Sequence, residues 1–256
     1  MGKIIVIANQ KGGVGKTTTA INLGCGLAKN NRKVLIVDTD PQSNATSGIE
    51  FDYNNGPTIY ECFINQSLLK ESIYKTKIPN LYIVPANIHL AGAQVELLHQ
   101  EHRESILKKI LSPVKKEFNY ILIDTPPSLG IYTINGLVAA DSVLIPLQCE
   151  YYALEGLSKL INTIKRVKKT YNPGLEIEGV LLTMYDPRTK LSAQVVEEVS
   201  RYFKDKVYRV IIPRNVKISE SPSYSLPVIL YEPESSGAKS YLEFSKEFIE
   251  RNEKAA

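Results

Sequence analysis

Ile4-Ile5-Val6-Ile7-Ala8, followed by Asn9-Gln10-Lys11-Gly12-Gly13-Val14-Gly15-Lys16-Thr17-Thr18, is the stretch on which the fold of this chain turns. The first five residues are apolar and rich in β-branched side chains, so they read as a buried strand. From Thr17 to Asn30 the apolar spacing becomes helical. A glycine-rich connection from a strand into a helix is the context that a phosphate-binding loop requires. Glycine lets the backbone curl until several N–H groups face one anion, and the helix adds its positive N-terminal end. Lys16 is placed to reach the β- and γ-phosphates of a nucleotide, and the Thr17 hydroxyl to ligate Mg²⁺. The general pattern G-x-x-x-x-G-K-[ST] has Gln10 at its first glycine here, with Lys11 directly after it.

Two acidic strand ends lie further along the chain. Val34-Leu35-Ile36-Val37-Asp38-Thr39-Asp40 and Tyr120-Ile121-Leu122-Ile123-Asp124 each bring carboxylates to the C-terminal edge of a buried strand. Ligands of open α/β sheets bind at that edge. Asp124 suits the holding of a Mg²⁺ water, because magnesium keeps much of its hydration shell. Asp38 or Asp40 is placed to position or deprotonate an attacking water. A lone strand-end Asp usually caps a turn, but two of them beside a phosphate loop favour a metal–nucleotide site.

The same alternation runs through the whole chain. Strands are expected at Ile4–Ala8, Val34–Val37, Leu81–Val84, Tyr120–Ile123, Ser142–Ile145, Gly179–Thr183 and Val207–Ile212. Helices are expected at Thr17–Asn30, Glu101–Glu117, Leu154–Tyr171, Ser192–Phe203 and Ser235–Arg251. The expected fold class is α/β: a P-loop NTPase with a mostly parallel twisted sheet covered by helices on both faces. Pro and Gly are spread evenly and no low-complexity linker interrupts the pattern, so residues 1–256 read as a single domain.

With 43% hydrophobic residues the chain has ample material for a core. No apolar run approaches the roughly 18 residues that span a bilayer. Cys25, Cys62 and Cys149 form no C-x-x-C pair, which points to a reducing, cytoplasmic setting. Charge is uneven: Lys159–Lys217 holds 13 Lys/Arg against 6 Asp/Glu, a surplus of +7, and Ile218–Ala256 holds 4 against 7. Solvated helix faces produce such an imbalance, and so does a polarised, anion-binding surface.

Lys11, five residues before Lys16, marks a family resemblance. Lys11-Gly12-Gly13-Val14-Gly15-Lys16-Thr17-Thr18 resembles the deviant Walker A motif of the ParA/MinD ATPases. Further stretches narrow the resemblance to the chromosomal ParA (Soj) type: Asn9–Thr19, Val37–Gln42, Ile123–Ser128, Pro146–Gly156 and Ile212–Ser223. Thr39 and Ser43 depart from it in a minor way. The resemblance implies ATP and Mg²⁺ as cofactors and an ATP-dependent homodimer in which Lys11 contacts phosphate across the interface. It places Lys11 to Thr18 around the phosphates, Thr17, Asp38 and Asp124 at the metal, and Asp40 as the aspartate needed for hydrolysis. Pro213 and Asn215 match positions beside the adenine, and Gly12 and Glu150 positions at the dimer interface. Because the chain starts at its first strand, the operator-binding N-terminal extension of some plasmid relatives is not expected.

Soj-like proteins bind double-stranded DNA without sequence preference once dimerised on ATP, and a ParB-like centromere-binding protein stimulates their hydrolysis. Arg188, Arg214 and Lys217 match or neighbour basic positions implicated in DNA binding, and they fall within the +7 stretch. The expectation is a weak, partner-stimulated ATP hydrolase serving chromosome or plasmid partition, cytoplasmic and nucleoid-associated. The alternative is a MinD-like, membrane-associated positioning ATPase. The tail Phe244–Ala256 has balanced charge and ends weakly, which speaks against membrane attachment. An iron–sulfur carrier would need cysteines converging on a dimer axis, and the three here are scattered.

Overall fold

Seven short runs join edge to edge into one sheet: Lys3–Ile7 (β1), Val34–Asp38 (β2), Tyr74–Lys75 (β3), Leu81–Val84 (β4), Tyr120–Asp124 (β5), Ser142–Gln148 (β6) and Glu176–Thr183 (β7). The computed structural model describes residues 2–66, 68–150 and 153–253, with the backbone alone at 99 and 153–155. The strand order is β3-β4-β2-β5-β1-β6-β7, parallel throughout except for β3 against β4. The helices are Lys16–Lys29 (α1), Asn44–Ser47 (α2), Ile59–Ile64 (α3), Leu90–Glu96 (α4), Ile106–Leu111 (α5), Ile131–Ala139 (α6), Ala153–Thr170 (α7), Lys190–Phe203 (α8), Val216–Glu220 (α9), Val228–Tyr231 (α10) and Ser236–Glu253 (α11).

Successive side chains of a strand face opposite ways, and both faces are apolar here. Ile4 and Val6 of β1 join one core with residues of α5, α6, α7 and α8, and Ile5 and Ile7 join a second with residues of α1 and α11. The continuous apolar runs thus reflect helices on both faces of the sheet. Helix α11 closes the second face through Tyr241, Phe244 and Phe248, all buried. At Gly26 of α1 a Cβ would lie 2.6 Å from that of Ser245, so only glycine allows this approach of α1 and α11.

Two expected elements take other forms. Val207–Ile212 runs beside β7 without forming a continuous ladder. Tyr208 N–H donates to Val180 C=O (3.0 Å) and Ile212 N–H to Leu182 C=O (2.9 Å), and the pairing is confined to isolated parallel bridges at Val180–Val207 and, just beyond, Tyr185–Pro213. The Glu247 carboxylate of α11 accepts hydrogen bonds from the N–H groups of Arg209 and Val210, both 3.0 Å. A side chain has taken the two donors in the middle of the run, so the pairing is interrupted between Tyr208 and Ile212. The helix expected over Glu101–Glu117 is broken into a 3₁₀ turn at Arg103–Ser105, α5, and another turn at Lys115–Glu117. The Asn135 side chain accepts from Leu107 N–H (3.0 Å) and donates to Arg103 C=O (2.8 Å), which fixes the start of α5 from outside. Pro113 lacks the N–H needed to continue the helix. Lys254–Ala256, the end of the tail, lie outside the described residues.

Candidate nucleotide site

Strand register assembles the site. Ile7 pairs with Asp124, and Asp124 with Asp38, so the ends of β1, β5 and β2 form one row at the C-terminal edge of the sheet. The order in which β1 lies between β5 and β6 opens a crevice there. Out of β1 the chain curls through Gly13 (φ +71°) and Gly15 (φ +87°), left-handed conformations that glycine adopts without penalty, and enters α1 at Lys16. The loop is tied down on its far side, where the Thr183 hydroxyl donates to Val14 C=O (2.9 Å).

A cleft of about 370 Å³ opens over this loop. Gly12, Gly13, Gly15, Lys16, Thr17, Thr18 and Asp40 line one side of it, and Ser221, Pro222 and Leu226 contribute to its wall. Lys16 is only 6% exposed, and its ammonium donates to Lys11 C=O at 3.1 Å. Burial lowers its pKa, and the nearby Asp124 and Asp40 oppose that shift. The result is a desolvated cation set into an anion-sized curl of backbone.

Asp124 is fully buried, and neither carboxylate oxygen has a hydrogen-bond partner among the described residues, although the Thr17 hydroxyl is close enough to lower its pKa somewhat. Burial first, and then the Asp38 charge, push its pKa well above the ordinary value. Asp38 is pushed up to about 6 by burial, against hydrogen bonds from the Thr46 hydroxyl (2.7 Å), the Thr46 N–H (2.9 Å) and the Asp40 N–H (3.0 Å). An orphaned buried carboxylate beside a hydroxyl and a second carboxylate fits a hard, oxygen-preferring divalent cation. Asp40 is 6% exposed and reaches the cleft, with one oxygen held by Gln42 N–H (2.9 Å).

Lys11 does not line this cleft. Its ammonium lies 3.3 Å from Gln148 Oε1 and 3.8 Å from Glu150 Oε2, at the end of β6. Glu150 also accepts from Arg214 at 2.9 Å, so one carboxylate joins the loop lysine to the 213–217 segment. Pro213 and Asn215 line a smaller pocket of about 110 Å³ that shares Gly15 and Thr18 with the phosphate cleft. The Asn215 side chain caps α9, accepting from Lys217 N–H (2.8 Å), and donates to Ser236 at the start of α11 (2.8 Å).

The three basic candidates all have carboxylate partners. Arg188 forms a forked pair with Asp186 (2.9 and 2.7 Å), which holds that carboxyl at about 2. Lys217 pairs with Glu220 at 2.8 Å, and Arg214 with Glu150. The Tyr185–Pro213 bridge brings the Arg188 loop alongside Arg214. Tyr151 and Tyr152, within the Pro146–Gly156 stretch, lie outside the described residues. Cys62 and Cys149 are buried in one core and Cys25 in the other, so the sheet separates them. Sequence reasoning missed Thr46, Gln148, Thr183 and Met184, which reach the site from α2 and from the ends of β6 and β7. Only Thr46, eight residues after Asp38, carried a local signal, as a hydroxyl near a strand-end carboxylate.

A glycine-rich loop at the crevice of a parallel sheet, backed by a row of buried carboxylates, defines a P-loop NTPase fold of the ParA/MinD type. A family model described as an AAA domain matches residues 2–177. The sporulation initiation inhibitor protein Soj of Bacillus subtilis (strain 168) is 55% identical, the match covering 96% of this chain and 98% of that protein. The chromosome-partitioning ATPase Soj of Treponema pallidum (strain Nichols) is 51% identical, over 98% of this chain and 99% of that one. With these relatives, the chain belongs to the ParA/Soj family of chromosome-partitioning ATPases. Among solved structures, cobyrinic acid a,c-diamide synthase of Mycobacterium smegmatis, with a bound ATP analog and magnesium, is similar at a TM-score of 0.88. It is 35% identical, covering 100% of this chain and 97% of that one. The cell division ATPase MinD of Pyrococcus furiosus is similar at a TM-score of 0.80 and 28% identity, covering 100% of both chains.

Proposed function

We propose that this chain is a Mg²⁺-dependent ATP hydrolase that partitions DNA by cycling between a nucleotide-closed dimer and a released monomer. The single observation that carries the nucleotide chemistry is the orphaned, fully buried Asp124 carboxylate beside Thr17 and Lys16. The partitioning role is supported by 51–55% identity to the Soj relatives over nearly the whole chain. Mg²⁺ would supply positive charge to neutralise the phosphates. Thr17, Asp38 and Asp124 would hold it.

In this reading Lys16 and the N–H groups from Gly12 to Thr18 hold the phosphates. Asp40 orients the attacking water. Pro213 and Asn215 flank the adenine. Lys11, stationed outside its own cleft beside Glu150, serves the partner's phosphates in the dimer. Gly12 and Glu150 lie at that interface. Arg188, Arg214 and Lys217 meet DNA phosphates, which carry no sequence information. DNA binding by the ATP-closed dimer holds the protein on the nucleoid, and a ParB-like partner stimulates hydrolysis and release. The MinD-like alternative has less support. The apolar side of α11 (Tyr241, Phe244, Phe248) is buried in the core and is not free to enter a bilayer, and no helix among the described residues is long and apolar enough to cross a membrane.

DNA binding by the purified protein with ATP, with ADP and without nucleotide tests this reading. ATP should be required, and unrelated duplexes should bind about equally. Equal binding in all three conditions would remove the partitioning role and leave the ATPase reading standing.

A further inference from the structure

Met184 is the one internal methionine of the chain, and its backbone is left-handed at φ +54°. Most other non-glycine residues with positive φ are Asn, Ser or His, whose short polar side chains tolerate this region; a long unbranched side chain seldom adopts it. Hydrogen bonds on either side impose the conformation. Thr183 C=O accepts from Cys149 N–H (3.0 Å), keeping β7 against β6. One residue beyond Met184, Tyr185 N–H donates to Ile212 C=O (3.1 Å) and Tyr185 C=O accepts from Arg214 N–H (2.9 Å). Met184 is therefore the step at which the chain leaves the sheet edge and fastens to the 212–214 segment.

The same residue lies between two cavities. The phosphate cleft and the smaller Pro213/Asn215 pocket share three lining residues: Gly15 and Thr18 from the loop and α1, and Met184 from the opposite side. A strained residue held at a ligand site indicates a selected geometry. A thioether at such a partition is suited to lie against a purine edge, because sulfur is polarizable and makes favourable contacts with aromatic rings.

We propose that Met184 is a positioning residue for the nucleoside half of the nucleotide, its side chain meeting the base or ribose between the two cavities. This rests on the nucleotide reading of the cleft. Its backbone strain aims the side chain, and the side chain supplies the contact. The same step carries the Arg188 loop, so the nucleoside and the basic loop share one anchor.

The methyl group of Met184 gives a direct probe. In protein labelled with [methyl-¹³C]methionine only Met1 and Met184 are visible, and Met184→Leu identifies which signal belongs to Met184. Saturating ADP with Mg²⁺ should shift that signal through the purine ring current, whereas saturating inorganic pyrophosphate should leave it nearly in place. By titration calorimetry, Met184→Ala and Met184→Gly should each bind both ATP and ADP about tenfold more weakly, the scale of a single thioether–ring interaction and its buried area. Pyrophosphate binding should be unchanged in both variants, and Met184→Leu should recover most of the nucleotide affinity. The glycine variant separates backbone from side chain, because glycine accepts this φ freely. A stationary methyl signal at ADP saturation overturns the proposal, as do alanine and glycine variants that bind ADP like the parent. So does an equal weakening of pyrophosphate binding, which would mean that Met184 only props up the loop. A parent that binds neither ADP nor pyrophosphate refutes the nucleotide reading itself.

Discussion

Lys16 and Lys11 carry the same charge five residues apart, yet their surroundings differ. Lys16 is buried against two carboxylates inside the cleft, and Lys11 lies at its rim beside Gln148 and Glu150. Lys16→Ala should weaken ATP binding by roughly a hundredfold or more, since charge-assisted hydrogen bonds are worth about 1.5–3 kcal/mol each. Lys11→Ala should keep most of the monomer's affinity while losing dimerisation and hydrolysis. Titration and sedimentation with ATP separate the two, and equal loss of monomer binding would make Lys11 an ordinary ligand of its own cleft. Asp124 calls for a different test. Its carboxyl is raised far above the unfolded value, so the charge costs the fold stability at every pH above that value. Asp124→Asn should therefore gain on the order of 1 kcal/mol, or about 2–4 °C in Tm, while losing Mg²⁺-dependent nucleotide binding. A melting temperature below the parent's would show that the fold compensates the buried charge and that the account of Asp124 as a destabilising group is wrong.

Elements are joined to the site mainly through α11. It packs on α1 at Gly26, places the Tyr241 hydroxyl 3.3 Å from that of Thr19, and holds Arg209 and Val210 through Glu247. Burial raises the Glu247 pKa, but the two backbone N–H groups and Arg251 outweigh it and bring the carboxyl below its ordinary 4.5. The stabilisation is thus complete above that value and is lost as pH falls through the lower folded value. Glu247→Gln should lower Tm at neutral pH, and its deficit should shrink steadily below about pH 4. Thermal melts of parent and variant across that range provide the check, and a deficit unchanged by acid would refute the charge-based account. Helix α1 was legible because its periodicity and glycine entry are local. Two features were not. The Val207–Ile212 run reads as a strand, and the distant Glu247 takes its two middle donors, Arg209 and Val210 N–H; α5 is shortened by Asn135, 28 positions away from Leu107.

Across the molecule, the Tyr185–Pro213 bridge sets the Arg188 loop beside Arg214, Lys217 follows at the start of α9, and each of the three is engaged by a nearby carboxylate. These pairs are exposed, with the Arg188 side chain 84% accessible, and exposed ion pairs contribute only about 0–1 kcal/mol. A DNA phosphate can replace the carboxylate at small cost. Arg188→Ala or Lys217→Ala should weaken binding uniformly across sequences and lower the salt slope by about 1 for each phosphate no longer neutralised. A dimer would present two copies of this surface and would bind with avidity. Filter binding over a range of salt, with ATP and with ADP, reads both effects. Variants indistinguishable from the parent would move the DNA surface elsewhere.

By itself the amino-acid sequence determined the phosphate loop, the acidic strand ends and the two-faced apolar strands, because each depends on neighbours within a few residues. Period, glycine placement and charge at a strand end are local properties of the chain. Tertiary structure alone decided the row of Ile7, Asp124 and Asp38, since it is set by a strand order in which β5 comes between β2 and β1. It also decided that the buried Asp124 oxygens have no geometric hydrogen-bond partner among the described residues, that Glu150 would join Lys11 to Arg214, and that Met184 would stand between two cavities. In each of these cases the groups lie tens to more than a hundred residues apart, and only sheet pairing and helix packing bring them within reach of one another.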